Sequence, residues 1–173
     1  MRVKIIISAL LLTLASMACA PSGPTPPRED NFAFIFREVP CGTTPLHVYD
    51  SARDQLVYTP IGETTPITIS LELTDEELES IYQKALLIGF FNFPPKIIAP
   101  QNAVRMISAP SGSYSLSITN GDLTNSTSWS SEIITDPLFE EAARFMELVV
   151  LIRNTFESKP EYKLLPEPRA GCV

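Results

Sequence analysis

From Asn31 onward the chain alternates large apolar and other residues, and the period changes three times. Phe32, Phe34 and Phe36 recur at every second position, which predicts a strand with those rings in the core. Pro40-Cys41-Gly42-Thr43-Thr44-Pro45 breaks it. Short strands are expected over Leu46–Asp50 and Gln55–Tyr58, joined by a turn at Ser51–Asp54. Pro66 to Leu73 alternates most cleanly: Ile67, Ile69, Leu71 and Leu73 face one way, and Thr68, Ser70 and Glu72 the other. One dry and one wet face is the signature of an antiparallel sheet.

The period becomes helical at Thr74. Thr74-Asp75-Glu76-Glu77 forms a capping box, in which the hydroxyl serves a free N–H and Glu77 reaches back. Leu78, Ile81, Tyr82, Ala85 and Ile88 share one face, and Gly89 is the expected stop. Phe90-Phe91-Asn92-Phe93 follows as an aromatic plug into the core, and residues 96–111 show no period. Tyr114, Leu116 and Ile118 then alternate with serines, Asn120-Gly121 predicts a tight turn, and a return strand runs to Trp129. Asn125 and Thr127 share the alternation of Trp129, so this strand reads as a partly solvated sheet edge. Asp136 as N-cap and Pro137 at the first helical position open a last helix whose stripe is Leu138, Ala142, Phe145, Val149, Ile152 and Phe156. Glu140 and Arg144 form a favourable pair four residues apart on its exposed side. Beyond Pro160 the segment from Tyr162 to Arg169 reads as an extended tail. Strands in a run, then a helix, a hairpin and a helix predict an α+β fold: an antiparallel β-sheet of about five to six strands with two α-helices packed on one face.

The first thirty residues belong to a different pattern. Arg2 and Lys4 precede the apolar run Ile5–Ala15, and small residues follow it. A basic start, a run too short to span a bilayer and a small-residue exit make residues 1–18 a signal peptide. Ala18-Cys19-Ala20 fits cleavage after Ala20, which would give a periplasmic or secreted protein. Ala15-Ser16-Met17-Ala18-Cys19 also resembles a bacterial lipobox, which implies lipidation at Cys19 and a membrane partner through an N-terminal lipid anchor. Ala20 after the cysteine, in place of Asp, resembles the signal of an outer-membrane or cell-surface lipoprotein. Residues 19–30, rich in proline, read as a tether, and residues 31–173 as a single domain.

Cysteine usage agrees with export. With Cys19 removed or acylated, Cys41 and Cys172 remain, and an even pair in an oxidising compartment reads as a disulfide, with two free thiols the alternative. Closing so long a loop stabilises by about 5 kcal/mol in the chain-entropy account.

Charge and composition narrow the chemistry. The net charge is −7, and losing Arg2 and Lys4 with the signal takes it to −9, which leaves no footprint for nucleic acid. A single histidine rules out multi-histidine metal sites, and no metal or cofactor is expected. His47 and Asp50 lie close enough in sequence to suggest a small exported hydrolase, although there is no G-x-S-x-G elbow. The Pro-rich loop 40–45, braced by Cys41, suggests instead an exported inhibitor. Asn125-Ser126-Thr127 matches an N-glycosylation sequon, relevant only in a eukaryotic secretory pathway. The aperiodic stretch 96–111 carries Ile97, Ile98, Val104, Met106 and Ile107, an apolar content high for a loop, and these form a candidate partner-binding element.

The lipobox-like start, the spacer, Phe34-Ile35-Phe36 with Cys41-Gly42, the helix ending Gly89-Phe90-Phe91, and the tail Pro160–Lys163 with Leu165–Arg169 together resemble small bacterial exported proteins and lipoproteins of unknown function. That resemblance implies export and no particular activity. The expectation is therefore a non-catalytic cell-envelope lipoprotein, a structural or protein-interaction module with an envelope protein as partner.

Overall fold

Six strands of four to eight residues and two of three residues make two sheets in the computed structural model, which describes residues 26–40, 46–98, 105–107, 112–130, 133–135 and 139–167. The main sheet contains β1 (Ala33–Val39), β2 (His47–Asp50), β3 (Gln55–Tyr58), β4 (Ile67–Ser70), β6 (Ser113–Asn120) and β7 (Leu123–Ser130). Its order is β4-β3-β2-β1-β6-β7, and every pairing is antiparallel. A second sheet pairs β5 (Arg105–Ile107) with β8 (Ile133–Thr135). The helices are α1 (Asp75–Leu87), α2 (Glu140–Glu157) and the short α3 (Pro160–Lys163). The fold is α+β, with a six-stranded antiparallel sheet and two long helices.

One face of the sheet is dry. Phe34, Phe36, Tyr49, Leu56, Leu116, Ile118 and Trp129 point into a core that α1 completes with Ile81, Tyr82 and Ala85, and α2 with Phe145, Leu148, Val149, Ile152 and Phe156. Burying each of the Leu, Ile, Val and Phe side chains among them stabilises by roughly 1.5–3 kcal/mol. Phe156 of α2 lies 5.9 Å from Phe36 and Tyr82 of α1 lies 5.4 Å from Phe32, so both helices pack on the same face.

The helix signals hold in detail at α1. Thr74 accepts from Glu77 N–H at 3.3 Å and Glu77 accepts from Thr74 N–H at 2.8 Å, completing the capping box. Gly89 has φ 72°, the left-handed conformation that ends the helix without a Cβ penalty. Arg144 donates to Ile88 O at 3.2 Å and satisfies one of the orphan carbonyls there.

Four expectations change. The last helix begins at Glu140 with Phe139 as N-cap, later than Asp136 and Pro137, which lie outside the described residues. The tail is not simply extended, because Pro160 starts one more helical turn. Residues 96–111 are not aperiodic throughout: Ile97 is buried, its N–H donates to Ser128 O at 2.8 Å, and Arg105–Ile107 is a strand. The Pro95–Ile97 segment thereby covers part of the β7 edge. Finally, Pro26 and Pro27, read as tether, dock on the domain: both carbonyls accept from Tyr82 O–H, at 2.9 and 3.0 Å. Asn120 accepts from Glu29 N–H at 2.8 Å, and Arg28 pairs with Asp75 and Glu79.

Asn125 and Thr127 do alternate inward on the edge strand, for a specific reason. Asn125 donates to the carbonyls of Phe90 and Phe93, and Thr127 to that of Pro94, so they close backbone acceptors on the turn below. The sequon amide is thus engaged inside the fold.

Candidate functional site

Strand alternation decides where the only imidazole goes. On β2, His47 and Tyr49 point into the core while Val48 and Asp50 point out. Directly across the ladder from His47 stands Glu38, which shares the inward face of β1 with Phe34 and Phe36. His47 is 2 % exposed and Glu38 4 %. Burying a carboxylate is costly unless it is paired and hydrogen-bonded. His47 Nδ1 meets Glu38 Oε2 at 2.8 Å, and Arg153 Nη1 of α2 reaches Oε1 at 3.5 Å.

The other ring nitrogen is also engaged. His47 Nε2 lies 2.9 Å from Tyr162 Oη, carried in by α3. Aromatic rings enclose the imidazole: Phe156 at 5.1 Å, Tyr58 at 5.5 Å and Tyr162 at 5.6 Å. Burial pushes the Tyr162 phenol well above its ordinary range, and the nearby Glu157, Tyr58 and Glu38 push it further. Tyr162 is therefore a neutral hydroxyl against Nε2, while the Glu38 carboxylate, which can only accept, takes its hydrogen bond from Nδ1–H. Burial likewise raises Tyr114, with Arg153 offsetting part of the effect, and raises Tyr58. Tyr58 donates to Pro166 O at 2.8 Å, so the segment after α2 is fastened twice to the β2–β3 end of the sheet.

Chemically this cluster is a clasp. A general base needs a ring nitrogen within reach of substrate, and both nitrogens of His47 are taken by the protein itself. The pairing of His47 with Asp50 is not formed: alternation sends Asp50 to the other face, where it accepts from Ala52 N–H at 3.1 Å and pairs with Arg53 at 3.2 Å. Glu38, Arg153 and Tyr162 escaped the sequence reading. One signal for Glu38 was available, since it continues the Phe34–Phe36 alternation and places an acid at a core position. His47 itself reads from sequence as a surface or edge residue; it sits instead on an interior strand of the sheet.

The other candidate residues are dispersed. Cys19, Cys41, Cys172 and Val104 lie outside the described residues, as does most of loop 40–45. Pro40 is described and lines a hollow of about 250 Å³ with Leu46, Thr59, Pro60 and Ile61. Within the expected partner-binding stretch, Ile97 is a core residue, a correction to its candidacy, while Ile98 is 72 % exposed. Met106 and Ile107 stand on β5, opposite Ile134 and Ile133 of β8. Among the described residues there is no cluster of three His, Cys, Asp or Glu side chains suited to a metal, and no helix is long and apolar enough to cross a membrane. No protein-family model matches the chain, and no curated protein matches it either.

Proposed function

We propose that this chain is an exported, lipid-anchored envelope protein whose α+β domain is a non-catalytic protein-interaction module. The observation that carries the interaction reading is the β5–β8 ribbon. It is a sheet of its own, apart from the six-stranded one, and its paired positions hold Met106, Ile107, Ile133 and Ile134. A two-stranded ribbon is marginal alone in water and gains from a further strand or an apolar partner. The enclosure of His47 supports the non-catalytic half of the reading, because the one imidazole is spent on holding the C-terminal segment.

Lipidation at Cys19 would leave seven residues before the docked Pro26, about 25 Å of fully extended chain. The domain would then stand close to the bilayer, with the end that binds Pro26 and Pro27 nearest to it. A disulfide between Cys41 and Cys172 belongs to the same reading: Cys41 follows Pro40 directly, and Cys172 comes six residues after Pro166, whose carbonyl accepts from Tyr58.

Membrane fractionation tests the anchor. The natural protein should sediment with membranes, and Cys19→Ser, once exported, should be soluble; an exported Cys19→Ser chain that stays with membranes overturns the reading. A photo-crosslinker at position 106 tests the ribbon. An adduct that disappears when Ile134 is changed to Asp in an otherwise folded protein supports it, and an adduct indifferent to that change removes it.

A further inference from the structure

Among the described residues no helix packs on the second face of the main sheet, whose positions follow from the register. Arg37 stands near its middle, with Val48 opposite on β2 and Ser115 opposite on β6. The neighbouring row holds Asp50, Ile35, Ser117 and Ser126. Ile35, Arg37, Ser115, Ser117, Ser126 and Ser128 line a shallow groove of about 440 Å³, with Pro95 also in its lining.

Hydrogen bonding in this groove is lopsided. Ser126 donates to Ser117 at 2.8 Å, and Ser128 to Pro95 O at 3.3 Å. Ser115 has no side-chain partner among the described residues, and Ser117 only receives. Arg37 is exposed and likewise has no partner among the described residues. By contrast Arg28, Arg53, Arg144 and Arg153 are all in ion pairs. The nearby Asp50 is already occupied by Ala52 N–H and Arg53. What remains is a guanidinium and two hydroxyl donors with no acceptor assigned to them.

We infer that this face, centred on Arg37, docks an acidic segment of a partner protein, with one Asp or Glu carboxylate held by the Arg37 guanidinium and by the hydroxyls of Ser115 and Ser117. The inference rests on the interaction-module reading and supplies the chemistry of its partner. A planar guanidinium matches a carboxylate in a two-pronged bond. Ile35, 46 % exposed, and the half-buried Val48 and Val57 lie beside it and suit an apolar residue next to the acid. In a chain of net charge −7, an acidic partner is repelled over most of the surface and attracted here, which fixes its orientation. A phosphate polymer fits less well, because its affinity grows with the number of cations it neutralises. The other cation on this row, Lys96 beyond Ser128, is three strand spacings away, about 14 Å.

The test is an amide-shift titration of the labelled mature chain with three probes: acetyl-Val-Glu-Val-amide, the same peptide with Gln for Glu, and inorganic polyphosphate. The Glu peptide should move the amides of Ile35, Arg37, Ser115 and Ser117 and bind at least tenfold more tightly than the Gln peptide. Arg37→Gln should reduce it to the level of the Gln peptide, and Arg37→Lys should retain part of the difference. Equal binding of the two peptides, no shift at these amides, indifference to Arg37, or Arg37-dependent binding of polyphosphate alone would each overturn the inference. Those results would leave the interaction reading itself standing, since fractionation and the ribbon crosslink test it separately.

Discussion

Replacing Glu38 with Ala should be among the most damaging single changes in the domain. The carboxylate accepts a hydrogen bond of 2.8 Å from His47, and both side chains are almost fully enclosed, at 2 % and 6 % exposure. A hydrogen bond to a charged group contributes about 1.5–3 kcal/mol, and a buried donor left without an acceptor costs about 1–3 kcal/mol. The Arg153 contact adds little, because it is 3.5 Å long and that side chain is 32 % exposed. Together these give a loss of about 3–4 kcal/mol, within the range for breaking a buried pair. For a domain of this size that lowers Tm by about 10 °C. Urea unfolding followed by near-ultraviolet dichroism measures it directly. Glu38→Gln keeps an acceptor and should lose only about 1 kcal/mol. In a double-mutant cycle with Glu38→Leu and His47→Phe, the coupling should be about 2 kcal/mol, because removing both partners leaves no stranded polar group between them. A loss below about 1 kcal/mol for Glu38→Ala, or a coupling near zero, would refute the clasp.

Two further predictions concern tyrosines and the N-terminal junction. All five tyrosines have phenols raised above the ordinary value of 10.0, with burial the leading cause in each. Below pH 10 neither state ionises and this contribution is intact; above it the unfolded chain ionises first, so stability falls as pH rises. Phenolate absorbance should therefore appear in one cooperative step coincident with unfolding, and a gradual non-cooperative rise centred near pH 10 would contradict the burial. Asn120 binds Glu29 N–H, Pro27 O and Tyr82 Oη, so Asn120→Ala should loosen the docked segment by about 2 kcal/mol. Trypsin cleavage after Arg28 should then accelerate about thirtyfold, whereas an unchanged rate would mean that Asn120 does not hold it.

What could be read from the sequence and what could not divides along chain separation. The alternation of Ile67 to Ser70, the Thr74–Glu77 box and the Gly89 stop are local, each written within a few residues, and each is realised. The inward Phe34–Phe36 pair is equally local. The clasp is not: Glu38 meets His47 through strand register, and Tyr162 meets it across 115 positions of sequence. The β5–β8 ribbon is two three-residue pieces, too short to establish a period. Pro26 and Pro27 have tether composition, but composition does not reveal that Tyr82 offers a hydroxyl to their carbonyls. His47 and Asp50 fail as a pair for the simplest reason, since an odd separation on a strand puts side chains on opposite faces.

Lipid anchoring is tested most directly by the intact mass of protein purified from the cell envelope, before and after reduction. A lipid-anchored, disulfide-closed protein has a chain starting at Cys19 and carrying acyl chains, with a gain of one pair of hydrogens on reduction as the Cys41–Cys172 bond opens. An unacylated chain starting at Pro21, after cleavage at Ala20, would contradict the anchor.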